Sequence, residues 1–139
     1  MILAEVDQAR AGGDTCRVAA VPAARGTHLL IDLWGAQRLD DLEAVRGALL
    51  DAVAICGATL LELKLHGFGD GQGITGVALL AESHISIHSW PEHDYAAIDI
   101  FVCGPCDPHS ILPVLREAFS PERVEMVEHR RGIPGEKCR

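Results

Sequence analysis

The side chains best suited to chemistry in this sequence lie in one stretch: Ser83, His88 and Cys103. A hydroxyl becomes a nucleophile when a base draws off its proton, an imidazole is such a base, and a thiol can return a proton. Alternation places them. Along Ser83–Trp90, the side chains of His84, Ser86, His88 and Trp90 share one face, and Ile85 and Ile87 share the other. In the return strand Ile98, Ile100 and Val102 lie opposite Ala97, Asp99, Phe101 and Cys103. Burying the isoleucines together sets the parity of pairing, because a slip of one residue would expose half of them. His88 and Cys103 then share the face that the core does not use. The register stays open: a tight turn at 91–94 sets Cys103 opposite Glu82, beside the Glu82–Ser83 bond, and a wider loop sets it opposite His88. In either register the hydroxyl, imidazole and thiol are expected to gather on a non-core face, although spacing alone also fits an exposed polar edge.

Two other patterns compete. Cys103-Gly104-Pro105-Cys106 spells a dithiol redox motif between a strand and a helix. A thioredoxin fold needs a further hairpin and helix beyond the motif's helix. Residues 107–139 hold one helix, one strand and a tail, so redox catalysis is not expected. His84 and His88, with His66 or His93 nearby, suggest a metal. Four apart on a strand they stand ~13 Å apart, too far to chelate one ion, so no metal site is expected. Cys56 reads as core at a helix end, Cys16 and Cys138 fall in the tails, and five scattered cysteines do not read as a disulfide framework.

The elements that must position these residues follow from periodicity. Thr27–Trp34 reads as a strand with Leu29, Ile31 and Leu33 on one face. Arg38 to Cys56 reads as a helix capped by Asp40 or Asp41, with Leu42, Val45, Leu49 and Val53 on its apolar stripe and Gly57 at its end. Thr59–His66 alternates Leu61, Leu63 and Leu65 with polar residues, and a glycine-rich loop follows at 67–73. Val77–Ala81, Ser83–Trp90 and Ala96–Cys103 are strand-like, the last two forming a hairpin around the polar turn 91–94. A second helix starts at Asp107-Pro108 and carries Ile111, Leu112, Leu115 and Phe119. A last strand spans Arg123–Arg130. The order β-α-β-β-β-β-α-β predicts an α/β (α+β) fold, a two-layer sandwich with a mostly antiparallel sheet and two helices on one face. The other face must meet solvent, a ligand or another subunit.

Length allows one domain: residues 26–139, preceded by a variable, loosely ordered extension over 1–25. Hydrophobic residues make up 48%, enough for a core, yet no apolar run can span a bilayer, and no secretory signal is visible. A cytoplasmic location is expected, with no membrane partner. A net charge of −8 would repel a phosphate backbone, so no nucleic-acid partner is expected.

The run Ala81-Glu82-Ser83-His84-Ile85-Ser86-Ile87-His88-Ser89-Trp90-Pro91-Glu92, followed by Tyr95–Gly104, closely resembles the signature of the short bacterial and archaeal S-adenosylmethionine decarboxylase proenzymes. The likeness extends to Gly26–Gly35, His66-Gly67-Phe68 and Arg130-Arg131-Gly132. It implies that Ser83 Oγ attacks the Glu82 carbonyl and the resulting ester eliminates. Chains 1–82 and 83–139 would result, the second headed by a pyruvoyl group derived from Ser83. That ketone would form a Schiff base with the α-amine of S-adenosylmethionine and take up the electrons freed as CO₂ leaves. The product would be the aminopropyl donor for spermidine synthesis. By the same resemblance Cys103 is the proton donor, His88 the processing base, and Thr75 a processing hydroxyl where the family has serine. Phe68 stacks on adenine, Trp90 and Glu92 line the substrate site, and two subunits form a homodimer with residues of both near each site. A Cys103–Cys106 bridge formed on oxidation would remove the proton donor. Two alternatives remain: the same chemistry on arginine or ornithine, and a non-cleaving regulatory paralogue.

Overall fold

A computed structural model describes residues 23–135, so most of the expected N-terminal extension lies outside the described residues. The elements are β1 (Gly26–Trp34), α1 (Leu42–Cys56), β2 (Leu60–Gly67), β3 (Ile74–Leu80), β4 (Ser83–Trp90), β5 (Tyr95–Val102), α2 (Leu112–Phe119) and β6 (Arg123–Arg131). They run in the order that periodicity predicts. The six strands form one sheet, β2-β3-β4-β5-β1-β6, and every neighbouring pair is antiparallel. The two helices pack on one face, giving the expected two-layer sandwich. Among the described residues no helix is long and apolar enough to cross a membrane.

The core lies between sheet and helices. Leu29, Ile31, Leu33, Ile85, Ile87, Ile98 and Ile100 meet Val45, Leu49, Ile111, Leu115 and Phe119 there, all buried. Each such side chain contributes about 1.5–3 kcal/mol relative to exposure. This burial holds the alternation of β4 and β5 in phase, and with it the direction of every polar side chain between the isoleucines.

The departures from periodicity have local causes. Helix α1 starts at Leu42, not Arg38. Arg38 takes a left-handed backbone with φ 58°, and its Nε donates to Ala118 O at 2.7 Å, satisfying a carbonyl at the end of α2. Asp41 is the cap, accepting from the N–H groups of Glu43 and Ala44. Leu42 is partly exposed rather than core. Leu61 is 61% exposed, because a bulge between Leu60 and Glu62 breaks the alternation on an edge strand. Strand β3 starts at Ile74, ahead of the expected start at Val77, and takes in Thr75-Gly76. Gly76 is in the strand for packing: a Cβ there would run into Leu65 and Ile87. The second helix begins as a 3-10 turn, Pro108–Ile111, with Asp107 accepting from His109 N–H at 3.0 Å. The expectation of no disulfide is also corrected. Cys56 and Cys106 are joined, with Cα atoms 5.3 Å apart, inside the span a bridge requires. They are separated by 50 residues, a proximity that no local pattern carries.

Candidate active site

Hairpin β4–β5 pairs Trp90 with Tyr95 and His84 with Phe101, the register of the tight turn. The turn is a 3-10 turn at Pro91–His93 closed by Asp94 at φ 48°. That register carries Cys103 to the Glu82–Ser83 bond. Cys103 N–H donates to Ser83 Oγ at 3.2 Å, and Cys103 Sγ donates to Glu82 O at 3.1 Å. The Glu82 carbonyl and the Ser83 hydroxyl next to it are both held by one residue. Glu82 lies in the two-residue connection between β3 and β4 at φ 62°, a left-handed conformation that costs a non-glycine residue about 1–2 kcal/mol. The bond faces a cavity of ≈ 440 Å³ walled by Ser83, Cys103, Gly57 and the Cys56–Cys106 bridge.

The other end of β4 is a separate cluster. Thr75 Oγ1 and His88 Nδ1 share a hydrogen bond at 3.1 Å. When Nδ1–H donates to Thr75, Nε2 keeps the lone pair that a base needs. Phe68, Trp90 and Glu92 join them around a pocket of ≈ 190 Å³. Phe68 is 62% exposed at its mouth. The close packing of Gly73 against the Ser89 carbonyl, where a Cβ would collide, shapes the pocket's floor.

The expected gathering of Ser83, His88 and Cys103 on one face does not occur within one chain. Ser83 shares the parity of Ile85 and Ile87, while His88 points to the open face. Five residues of strand put Ser83 and His88 ~17 Å apart. Nor does Cys106 face Cys103: Cys106 is spent on Cys56, and Cys103 is the free thiol among the described residues. The partner that Cys103 would need for a bridge on oxidation is thus paired elsewhere. No cluster of metal-ligating side chains exists among the described residues. A further groove of ≈ 490 Å³ between α1 and α2 holds no nucleophile or imidazole.

Trp34, Tyr95, Asp32, Ser89 and His28 escaped sequence reasoning. Trp34, Tyr95 and Trp90 stack in a row, with centroids 4.4 and 5.3 Å apart. Tyr95 Oη donates to Asp32 Oδ1 at 2.6 Å. Burial first, and this hydrogen bond second, push the Tyr95 phenol up to about 12. Buried Ser89 donates to Leu39 O at 2.7 Å and accepts from Ile74 N–H at 2.9 Å, which fixes the base of the His88 pocket. Burial also lowers His28, an effect partly offset by Asp99. Alternation could have put the aromatic residues on the open face, but not in one row, since that requires the pairing of three strands.

Fold and site define a class: a small two-layer α/β protein that sets a serine hydroxyl and a thiol against the peptide bond before the serine. Residues 27–132 match the family model described as S-adenosylmethionine decarboxylase. The chain is 47% identical over 109 residues to an S-adenosylmethionine decarboxylase proenzyme of Thermomicrobium roseum, covering 78% of this chain and 94% of that one. It is 48% identical over 111 residues to the proenzyme of that name from Methanococcus maripaludis, covering 78% and 90%. A crystal structure of the adenosylmethionine decarboxylase from Aquifex aeolicus superposes with a TM-score of 0.74 at 35% identity, covering 84% of this chain and 98% of that one. The chain belongs to the S-adenosylmethionine decarboxylase family. These relatives are named for S-adenosylmethionine, and the reading on arginine or ornithine gains no support from them.

Proposed function

We propose that the chain is a proenzyme that cuts itself between Glu82 and Ser83 and then decarboxylates S-adenosylmethionine. One observation carries this: Cys103 touches both partners of the reacting bond, Ser83 Oγ and Glu82 O. Ser83 Oγ attacks the Glu82 carbonyl carbon while the thiol polarises its oxygen. The amide C–N bond breaks and an ester forms. Loss of the Ser83 Cα proton then expels the Glu82 carboxylate by cleavage of the Cβ–Oγ bond. Hydrolysis of the remaining enamine releases ammonia and leaves a pyruvoyl group at residue 83. The residues fit that group, because Ser83 opens on a cavity and has a thiol beside it. The pyruvoyl carbonyl supplies the electron sink for loss of CO₂. Cys103 returns a proton to the substrate carbon, and Phe68, Trp90 and Glu92 hold the nucleoside portion.

A second copy of the chain is part of this proposal. His88, the proposed processing base, is ~17 Å along the strand from its own Ser83. The open face exposes Leu30, Val77, Leu79, Trp90 and Val127, apolar surface that a partner would cover. In the proposed homodimer the partner brings its His88 and Thr75 to Ser83, so each site is built by two subunits. A role in supplying the aminopropyl donor for spermidine, and a cytoplasmic location, belong to this proposal.

Intact mass spectrometry of reduced protein tests the cleavage. Chains 1–82 and 83–139 are expected, with the second lacking its amine, and Ser83→Ala is expected to stay whole. A single uncut wild-type chain would instead favour the non-cleaving paralogue. CO₂ release from carboxyl-labelled S-adenosylmethionine, arginine and ornithine tests the substrate; release from only an amino acid would overturn that assignment.

A further inference from the structure

Two cysteines with no part in the chemistry above wall its cavity. Cys56 closes α1, and Cys106 lies in the loop between β5 and α2. The structure joins them beside Glu82, Ser83 and Cys103. Their positions in the chain matter as much as their contact: Cys56 precedes the Glu82–Ser83 bond, and Cys106 follows it. We propose that Cys56–Cys106 becomes a covalent link between the two chains of the processed protein and anchors the loop that carries Cys103. The first part rests on the self-cleavage proposed above.

The need for an anchor follows from that cleavage. In the uncut chain Cys103 N–H is held by Ser83 Oγ. Processing removes this oxygen with the Glu82 carboxylate, so the loop loses its hydrogen bond at the step that creates the active form. Gly104, at φ 68°, leaves this short loop conformationally permissive. A bridge three residues beyond Cys103 restrains it. The sheet already interleaves the two chains, with β1 between β5 and β6. The bridge therefore adds restraint where the cut frees two chain ends. In forming it, the Cys56 and Cys106 thiols lose two protons and two electrons. A low-molecular-weight disulfide accepts the electrons and leaves as two thiols. In a thiol-rich compartment the reaction runs backwards, so the link reports the redox state around the protein.

The test uses the full chain equilibrated with excess oxidised glutathione or with dithiothreitol. Free thiols are then alkylated, and the protein is analysed by denaturing gel, intact mass and peptide mapping. In oxidised wild type one covalent species containing both 1–82 and 83–139 is expected, with Cys103 alkylated. Dithiothreitol should separate the chains, and Cys56→Ser or Cys106→Ser should separate them without reductant. Separate chains in oxidised wild type would overturn the link while leaving cleavage intact. A contiguous uncut chain would sink the cleavage reading instead. The peptide map of that same sample still decides the bridge: a Cys56 peptide bound to a Cys106 peptide supports it, and separately alkylated Cys56 and Cys106 overturn it. A Cys103–Cys106 bridge would also overturn it.

Discussion

The two ends of β4 contrast sharply. At the Ser83 end a hydroxyl, the carbonyl before it and the Cys103 residue are hydrogen-bonded together within one chain. At the Trp90 end the Thr75–His88 pair, Phe68 and Glu92 surround an open pocket with no bond of the same chain to act on. One end has the bond proposed to react, without an imidazole; the other has the proposed base, without such a bond. A strand holds its ends apart rigidly, so no side-chain rotation closes the ~17 Å between them. The proposed homodimer would unite them, with the partner supplying His88.

Four experiments would break or sharpen this contrast. Cys103→Ala should lower CO₂ release per cleaved chain by about 10²–10⁴-fold, the usual worth of a positioned acid. Unchanged turnover would place the proton donor elsewhere. His88→Ala should slow self-cleavage by a comparable factor when folded alone. Co-folded with Ser83→Ala, the His88→Ala chain should be cut, because the partner subunit brings His88. If it stays whole in confirmed mixed dimers, the base acts within its own chain and the contrast collapses.

Phe68→Ala should raise KM about tenfold through the loss of roughly 1–1.5 kcal/mol of stacking. A fall in kcat with KM unmoved would take Phe68 out of substrate binding. The smallest effect concerns the aromatic row beside His88. Tyr95 is the sole tyrosine, so absorbance titration reads it directly, and its midpoint should be about 12. Asp32→Asn should lower the midpoint part of the way toward 10, because burial, the larger cause, remains. With its folded value raised, the phenol's contribution to stability is whole below pH 10 and is lost as pH climbs to about 12. A midpoint near 10 in wild type would mean that this end is more solvated than its stacked rings imply.

The hairpin was legible because Ile85, Ile87, Ile98 and Ile100 can be buried together in one parity only. The same alternation exposed His84, Ser86 and His88. Legibility ended where geometry depends on pairs distant in sequence. Thr75 falls before the expected strand start at Val77, and its pairing with His66 and His88 places it within β3. Cys103-Gly104-Pro105-Cys106 reads as a self-contained dithiol, yet Cys106 is turned toward Cys56 at the end of α1.

Sequence by itself determined which segments are strands, which faces are apolar, and that His88 would lie on the face the core does not use. Residue types and spacings of two or three or four decide those matters locally. Tertiary structure alone decided the register that puts Cys103 on the Glu82–Ser83 bond, the separation of that bond from His88, and the meeting of Cys56 with Cys106. Each of these depends on how the turn closes and how helices settle on the sheet. Those are free energies summed over the whole core, which no short window of sequence contains.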